Sequence, residues 1–206
     1  MPNLPDYSPQ ASSPPQHQSS ASQKTPAWRT IAGQPRFWLI TTLVALGVIS
    51  RWLPHPPNFT PIGALALFGG TFYANWRWAF SLPLLSLFLS DLVLGLHILM
   101  PVVYGSFALN VLLGRWLRFH WGIVNLAVVT LVGSFQFYLT TNFACWILSY
   151  PHTLAGLIEC YVNAIPFFRN SALADATYTV ILFGSVAVAE RVFPVLREPT
   201  RQPTTA

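Results

Sequence analysis

From residue 37 to residue 193 the chain is a succession of apolar runs in which ionisable side chains are rare, and no other feature of the sequence narrows its folds so far. Apolar helices of about 20 residues are long enough to cross the hydrocarbon of a bilayer. Charged residues make up 8% of the 206, where soluble domains average about 25%. Hydrophobic residues make up 53%, and the mean hydropathy is +0.48. These values exclude an ordinary soluble globule. They lead us to expect an all-α integral membrane protein, multi-pass in the cell membrane and embedded in its lipid bilayer. Eight tryptophans agree, since indole favours the membrane–water interface. The net charge of +5 does not point to a nucleic-acid partner, because the basic residues stand singly between apolar runs.

Six transmembrane helices are expected, at 37–52, 60–73, 78–99, 102–117, 122–148 and 173–193. Pro83 interrupts the third, which also carries Asp91, and Pro101 begins the fourth. The first, second and fourth fall short of about 20 residues, so they thin the bilayer or extend into their flanks. For the second, a re-entrant segment is the alternative. The membrane domain is expected to occupy 36–196. Residues 1–35, rich in Pro, Ser and Gln, read as a disordered cytoplasmic tail, and 197–206 as a disordered C-terminal tail. The first apolar run starts too far in for a usual secretory signal and reads as an uncleaved anchor.

The basic residues set the expected topology. With six spans and both termini inside, Lys24, Arg29, Arg36, Arg77, Arg115, Arg118, Arg191, Arg197 and Arg201 fall on the inner side. Only Arg51 and Arg169 fall outside, so nine of eleven obey the positive-inside rule. This topology puts His55, His97 and His152 on the outer side, with Asp91 in the outer half of span three and Asp175 at the outer start of span six. An ionisable residue within a membrane segment is costly and marks a functional site by default. The alternative is structural pairing of Asp91 and Asp175 with Arg51 and Arg169.

Residues 150–175 are too polar to span a bilayer and too apolar for a solvated loop. They carry His152, Glu159, Arg169 and Asp175, with Cys160, Asn163 and Asn170 among them. Leu154, Leu157, Ile158, Tyr161, Val162 and Ile165 have helical spacing, which predicts an amphipathic outer helix between spans five and six, ending near Pro166. Glu159 and Asn163 share one of its faces. An outer cavity lined by Trp146, Tyr150, Tyr161 and Phe167, with polar Asn142, Glu159, Asn163 and Asp175, suits a small aromatic or amphipathic solute. The connection at 51–61 holds four prolines and reads as a stiff cap or a rigid turn. In span two, Ala66 and Gly70 form a small-xxx-small pair that admits a close helix, either from this chain or from a partner. Cys145 and Cys160 read as two semi-buried thiols, with an outer disulfide as the alternative.

No Walker loop, G-x-S-x-G elbow or H-E-x-x-H occurs, so neither an ATP-driven pump nor an enzyme is expected. The spacings of His55, His97, His152, Glu159 and Cys160 match no metal-ligand pattern, and no cofactor is expected. Asp91 and Asp175 sit in no familiar protease motif.

Several blocks together resemble a family of uncharacterised bacterial membrane transport proteins. They are 51–70 (RWLPHPPNFTPIGALALFGG), Ser90-Asp91 with Gly95, Tyr104-Gly105, 141–146 (TNFACW) and 156–175 (GLIECYVNAIPFFRNSALAD). That family is similar to the substrate-binding S components of energy-coupling-factor (ECF) transporters. The resemblance implies six helices with both termini inside and capture of a vitamin-like solute on the outer face. It also implies handover to a separate transmembrane coupling protein and its ATPases. The pocket would then correspond to the stretch around His55 and Asn58 and to 142–175. The Ala-xxx-Ala docking motif usual in the first helix is replaced here by Ala45 and Ile49, and the pair Ala66 and Gly70 could take its place. The substrate-binding residues expected are therefore His55, Asn58, Asp91, Asn142, Trp146, Glu159, Asn163 and Asp175. A structural or regulatory membrane subunit without a solute is the second reading.

Overall fold

Proline, glycine and short polar side chains punctuate the chain where its helices begin and end. The computed structural model describes residues 34–198 and, among them, six α-helices, one 3-10 turn and no strand. The helices are α1 (Pro35–Ser50), α2 (Ile62–Phe72), α3 (Trp76–Leu94), α4 (Met100–Phe119), α5 (Ile123–Ser149) and α6 (Leu154–Val192), with the 3-10 turn at Pro194–Leu196. Prolines occupy the first turns of α1 and α4, where the missing N–H is not needed. Asn75 caps α3 by accepting from the Arg77 N–H at 2.8 Å, and Thr153 caps α6 by accepting from the Gly156 N–H at 3.1 Å. Gly95, at a φ of 109° that glycine adopts without strain, ends α3. The disordered tail expected at 1–35 lies outside the described residues except for 34 and 35, as does the C-terminal tail beyond residue 198.

The bundle is built around α2. Every residue from 63 to 71 is buried, and α2 packs on each of the other five helices. Its small residues make this possible. A β-carbon at Gly70 would lie 2.2 Å from the carbonyl oxygen of Val111, and one at Gly114 would lie 2.2 Å from that of Leu67. Backbone therefore meets backbone between α2 and α4. On another side the ring of Pro83 fills the notch at Gly69, 2.5 Å from where a β-carbon would stand. Ala66 is 1% exposed. The partner-docking role expected for Ala66 and Gly70 is thus corrected: both are buried inside the chain's own bundle, and the helix that Gly70 admits is α4 of the same chain.

A buried helix of 11 residues leaves orphan N–H and C=O groups at both ends. Pro61 supplies no capping side chain. Asp175 of α6 does so instead, accepting from the Ala64 N–H at 3.1 Å. At the far end Arg118 donates to the Thr71 carbonyl at 2.9 Å, and Arg115 donates to the Tyr73 carbonyl at 2.8 Å. A carboxylate thus faces the positive end of the α2 dipole and two guanidiniums face the negative end, all from other helices.

Among the described residues three helices are long and apolar enough to span a membrane: α3, α5 and α6. Their outward faces carry large apolar side chains such as Leu85, Leu131, Val180 and Val188. At 16 and 11 residues, α1 and α2 are shorter apolar helices.

The separate amphipathic helix is corrected. The segments at 153–168 and 173–193 are parts of one helix, α6, which runs for 39 residues through Pro166. A proline in a helix interior removes one N–H and crowds one carbonyl, and a kink can accommodate both. The polar residues that follow do not break the helix either, because distant backbone supplies partners. Asn170 donates to the Pro57 carbonyl at 3.0 Å and Ser171 to the Asn58 carbonyl at 3.3 Å. The structure separates the two acid–base pairings. Arg51 and Asp91 meet at 2.9 Å. Arg169 and Asp175 lie six positions apart on α6, so their side chains leave on different faces; Arg169 is exposed, Asp175 buried.

Candidate functional site

At the end of the bundle marked by Arg51 lies a cavity of about 330 Å³. It forms where α2, α3, α4, α5 and α6 diverge beneath the stiff connection between α1 and α2. Asn58 in that connection has a φ of 61°, a left-handed conformation that asparagine tolerates better than most residues. Its polar lining comes from Arg51, Asn58, Asp91, His97, Asn110, Thr141, Asn142, Ser171 and Asp175. Aromatic side chains from three helices complete it: Phe107 of α4, Phe137 and Tyr138 of α5, Phe167 and Phe168 of α6.

The charges of the lining are partly spoken for. Arg51 donates to Asp91 and to the Ser90 hydroxyl, and the Tyr104 hydroxyl donates to the other Asp91 oxygen at 2.8 Å. The Nε of Arg51 is buried without a protein partner. Asp175 accepts from Ser134 at 2.6 Å and from the Ala64 N–H, with no cation among its partners. Its carboxylate fits only because residue 63 is glycine: a β-carbon there would lie 2.3 Å from Oδ1.

A polar layer runs between α4 and α5 beside the cavity. Gln136 donates to the Ser106 carbonyl at 2.9 Å and to the Asn110 side-chain oxygen at 3.0 Å, and the hydroxyls of Ser106 and Thr140 share a hydrogen bond. The Oε1 of Gln136 has no protein partner. Sequence reading missed this layer, although a Gln, an Asn and several hydroxyls inside otherwise apolar helices are the signal that could have shown it.

Of the eight expected substrate-binding residues, the structure brings Asn58, Asp91, Asn142 and Asp175 together around the cavity. The other four lie elsewhere. His55 is exposed, its ring nitrogens 3.0 and 3.2 Å from the carbonyl oxygens of Pro56 and Arg51. Trp146 donates to the Pro151 carbonyl at 3.0 Å. Glu159 is exposed on α6. Asn163 is also exposed and reaches the Tyr150 hydroxyl at 3.5 Å. Three of these four belong to the hairpin of α5 and α6, whose arms are tied by bonds from Tyr138 to the Tyr161 carbonyl and from Tyr161 to the Leu139 carbonyl. Of the aromatic wall expected, Phe167 lines the cavity, whereas Tyr150 and Tyr161 do not. Cys145 and Cys160 are free thiols. Among the described residues no three His, Cys, Asp or Glu side chains gather as a metal site.

Fold and site together define an all-helical bundle with membrane-length helices and a polar, aromatic-walled cavity at one end. The chain belongs to the family of unknown function DUF6580, whose model matches residues 32–196. No curated protein and no solved structure matches it.

Proposed function

We propose that the protein is a multi-pass component of the cell membrane that captures a small, partly aromatic solute in the cavity beside Arg51. The observation that carries this reading is the cavity itself. Its volume of about 330 Å³ falls within the range of small-molecule sites, and its lining mixes aromatic faces with a few convergent polar groups. An orientation with the Arg51 end outside is supported by the arginines at the opposite end, where Arg36, Arg118, Arg191 and Arg197 gather around one pocket. The six helices would then cross with both termini inside.

On this reading the protein works like the S component of an ECF transporter and hands its solute to a coupling protein and ATPases. Docking would use the outward face of α1, where Ala45 and Ile49 are both exposed. A second reading, a structural or regulatory subunit, is favoured by the closed Arg51–Asp91 pair and by the capping role of Asp175.

Small-molecule analysis of protein purified in mild detergent separates the two. The transport reading expects a copurifying metabolite that Ser171→Phe, which fills the cavity, reduces by roughly tenfold or more. Glu159→Gln leaves the yield unchanged. No copurifying metabolite from the native protein, together with no binding from a vitamin panel, would favour the structural reading.

A further inference from the structure

A second cavity, of about 480 Å³, opens at the opposite end of the bundle. Four arginines line it, Arg36, Arg118, Arg191 and Arg197, against two carboxylates, Glu190 and Glu198. The balance is positive. Arg36 pairs with Glu190 and donates to the Leu196 carbonyl at 2.9 Å. Arg118 is held by Glu198 and by the α2 carbonyls. Both guanidiniums are largely buried, so they are fixed in place. Among the described residues Arg197 hydrogen-bonds through its Nε alone, to the Glu190 carbonyl at 3.0 Å, which leaves its two terminal nitrogens for a ligand. Arg191 is exposed beside it.

The wall opposite these charges is aromatic. Phe72 and Phe183 lie 5.2 Å apart, and Trp121 stacks on Phe183 with its ring 15° from parallel. The pocket therefore offers a cationic rim on an apolar floor. Glu198 already places a carboxylate between Arg36, at 3.7 Å, and Arg118, so the site accepts an anion. Guanidinium pairs with phosphate through two parallel hydrogen bonds, which is the chemistry a rim of arginines favours. Basic pockets between membrane helices are where phosphorylated headgroups bind.

We propose that this pocket binds a phosphate group, carried either by an anionic phospholipid or by a free phosphate-bearing solute. The rim residues Arg191 and Arg197 grip it, and the aromatic floor packs against whatever apolar part follows.

The test uses the full chain in neutral detergent, with its melting midpoint followed by tryptophan fluorescence at fixed ionic strength. Dioleoyl phosphatidylglycerol is compared with dioleoyl phosphatidylcholine, and inorganic phosphate with chloride. The anionic member of at least one pair raises the midpoint. In Arg191→Gln/Arg197→Gln the apparent affinity falls roughly tenfold or more, from the loss of two charge-assisted contacts. A response to phosphatidylglycerol alone assigns the phosphate to lipid, and a response to inorganic phosphate assigns it to a solute. Native mass spectrometry of the unmodified protein in an equimolar mixture of the two lipids gives a second measure, with phosphatidylglycerol retained preferentially. The proposal is overturned if neither anion stabilises more than its control and no lipid preference is seen. It is equally overturned if the double variant keeps the full response.

Discussion

Arg51 and Asp91 lie 2.9 Å apart with side-chain exposures of 11% and 6%, in surroundings that screen little. A pair of this kind is worth more as a constraint than as a source of stability. Removing one partner strands a buried charge, at a cost of about 3–5 kcal/mol, whereas replacing both is often neutral. Arg51→Met should therefore lower the melting temperature in detergent sharply, because Asp91 keeps only the Tyr104 hydroxyl and the helix around it. Arg51→Met/Asp91→Asn should recover most of the loss. A double variant no more stable than Arg51→Met would show that the pair is not the reason the single change hurts. Asp175 differs in kind. Its partners are a hydroxyl and a backbone N–H, and it holds the start of the central helix rather than a second charge. Sequence could flag both carboxylates as anomalous in apolar surroundings. It could not tell them apart, because the discriminating atoms come from residues 111 and 41 positions from Asp175 and 40 positions from Asp91.

Helix boundaries were legible where the chain marks them locally. Pro35, Asn75, Gly95, Pro101 and Thr153 each act through their own backbone or the next turn, and the expected spans one to five agree with α1 to α5 to within a few residues, apart from the early end of α3 at Gly95. The sixth was misread because its signals were local and its support is not. Pro166 and the polar run Arg169-Asn170-Ser171 look like an interruption, yet Asn170 and Ser171 reach across to the connection between α1 and α2. The continuity of α6 can be measured. Ile158 and Val180 are both exposed, and in one uninterrupted helix they stand about 33 Å apart along the axis. A helix lying in the interface and joined to an upright span would bring them to about 20 Å. Spin labels at Ile158→Cys and Val180→Cys, with Cys145 and Cys160 replaced by serine, should give the longer distance in pulsed dipolar spectroscopy. A population centred on the shorter one would restore the two-piece reading.

At the scale of the whole molecule, the buried α2 divides the bundle into two unlike ends. One holds the cavity of Arg51, Asp91 and Asp175, the other the arginine-rimmed pocket. The contacts of Arg36 with Glu190 and Glu198 bring the start of α1 and the chain beyond α6 to the same end of the bundle. The asymmetry of arginines across that axis is what orients such a bundle, since basic residues resist transfer across the membrane. It follows that the two cavities should meet different compartments. His152, between α5 and α6, belongs to the Arg51 end, while Val195, in the 3-10 turn, belongs to the other, and both are exposed. In the background lacking Cys145 and Cys160, His152→Cys should react with a membrane-impermeant maleimide added to intact cells. Val195→Cys should react only after the membrane is permeabilised. The reverse pattern would turn the Arg51 cavity towards the cytoplasm and remove the proposed capture from outside. Equal labelling of both positions in intact cells would mean that the bundle does not separate two compartments, and the membrane reading itself would fall.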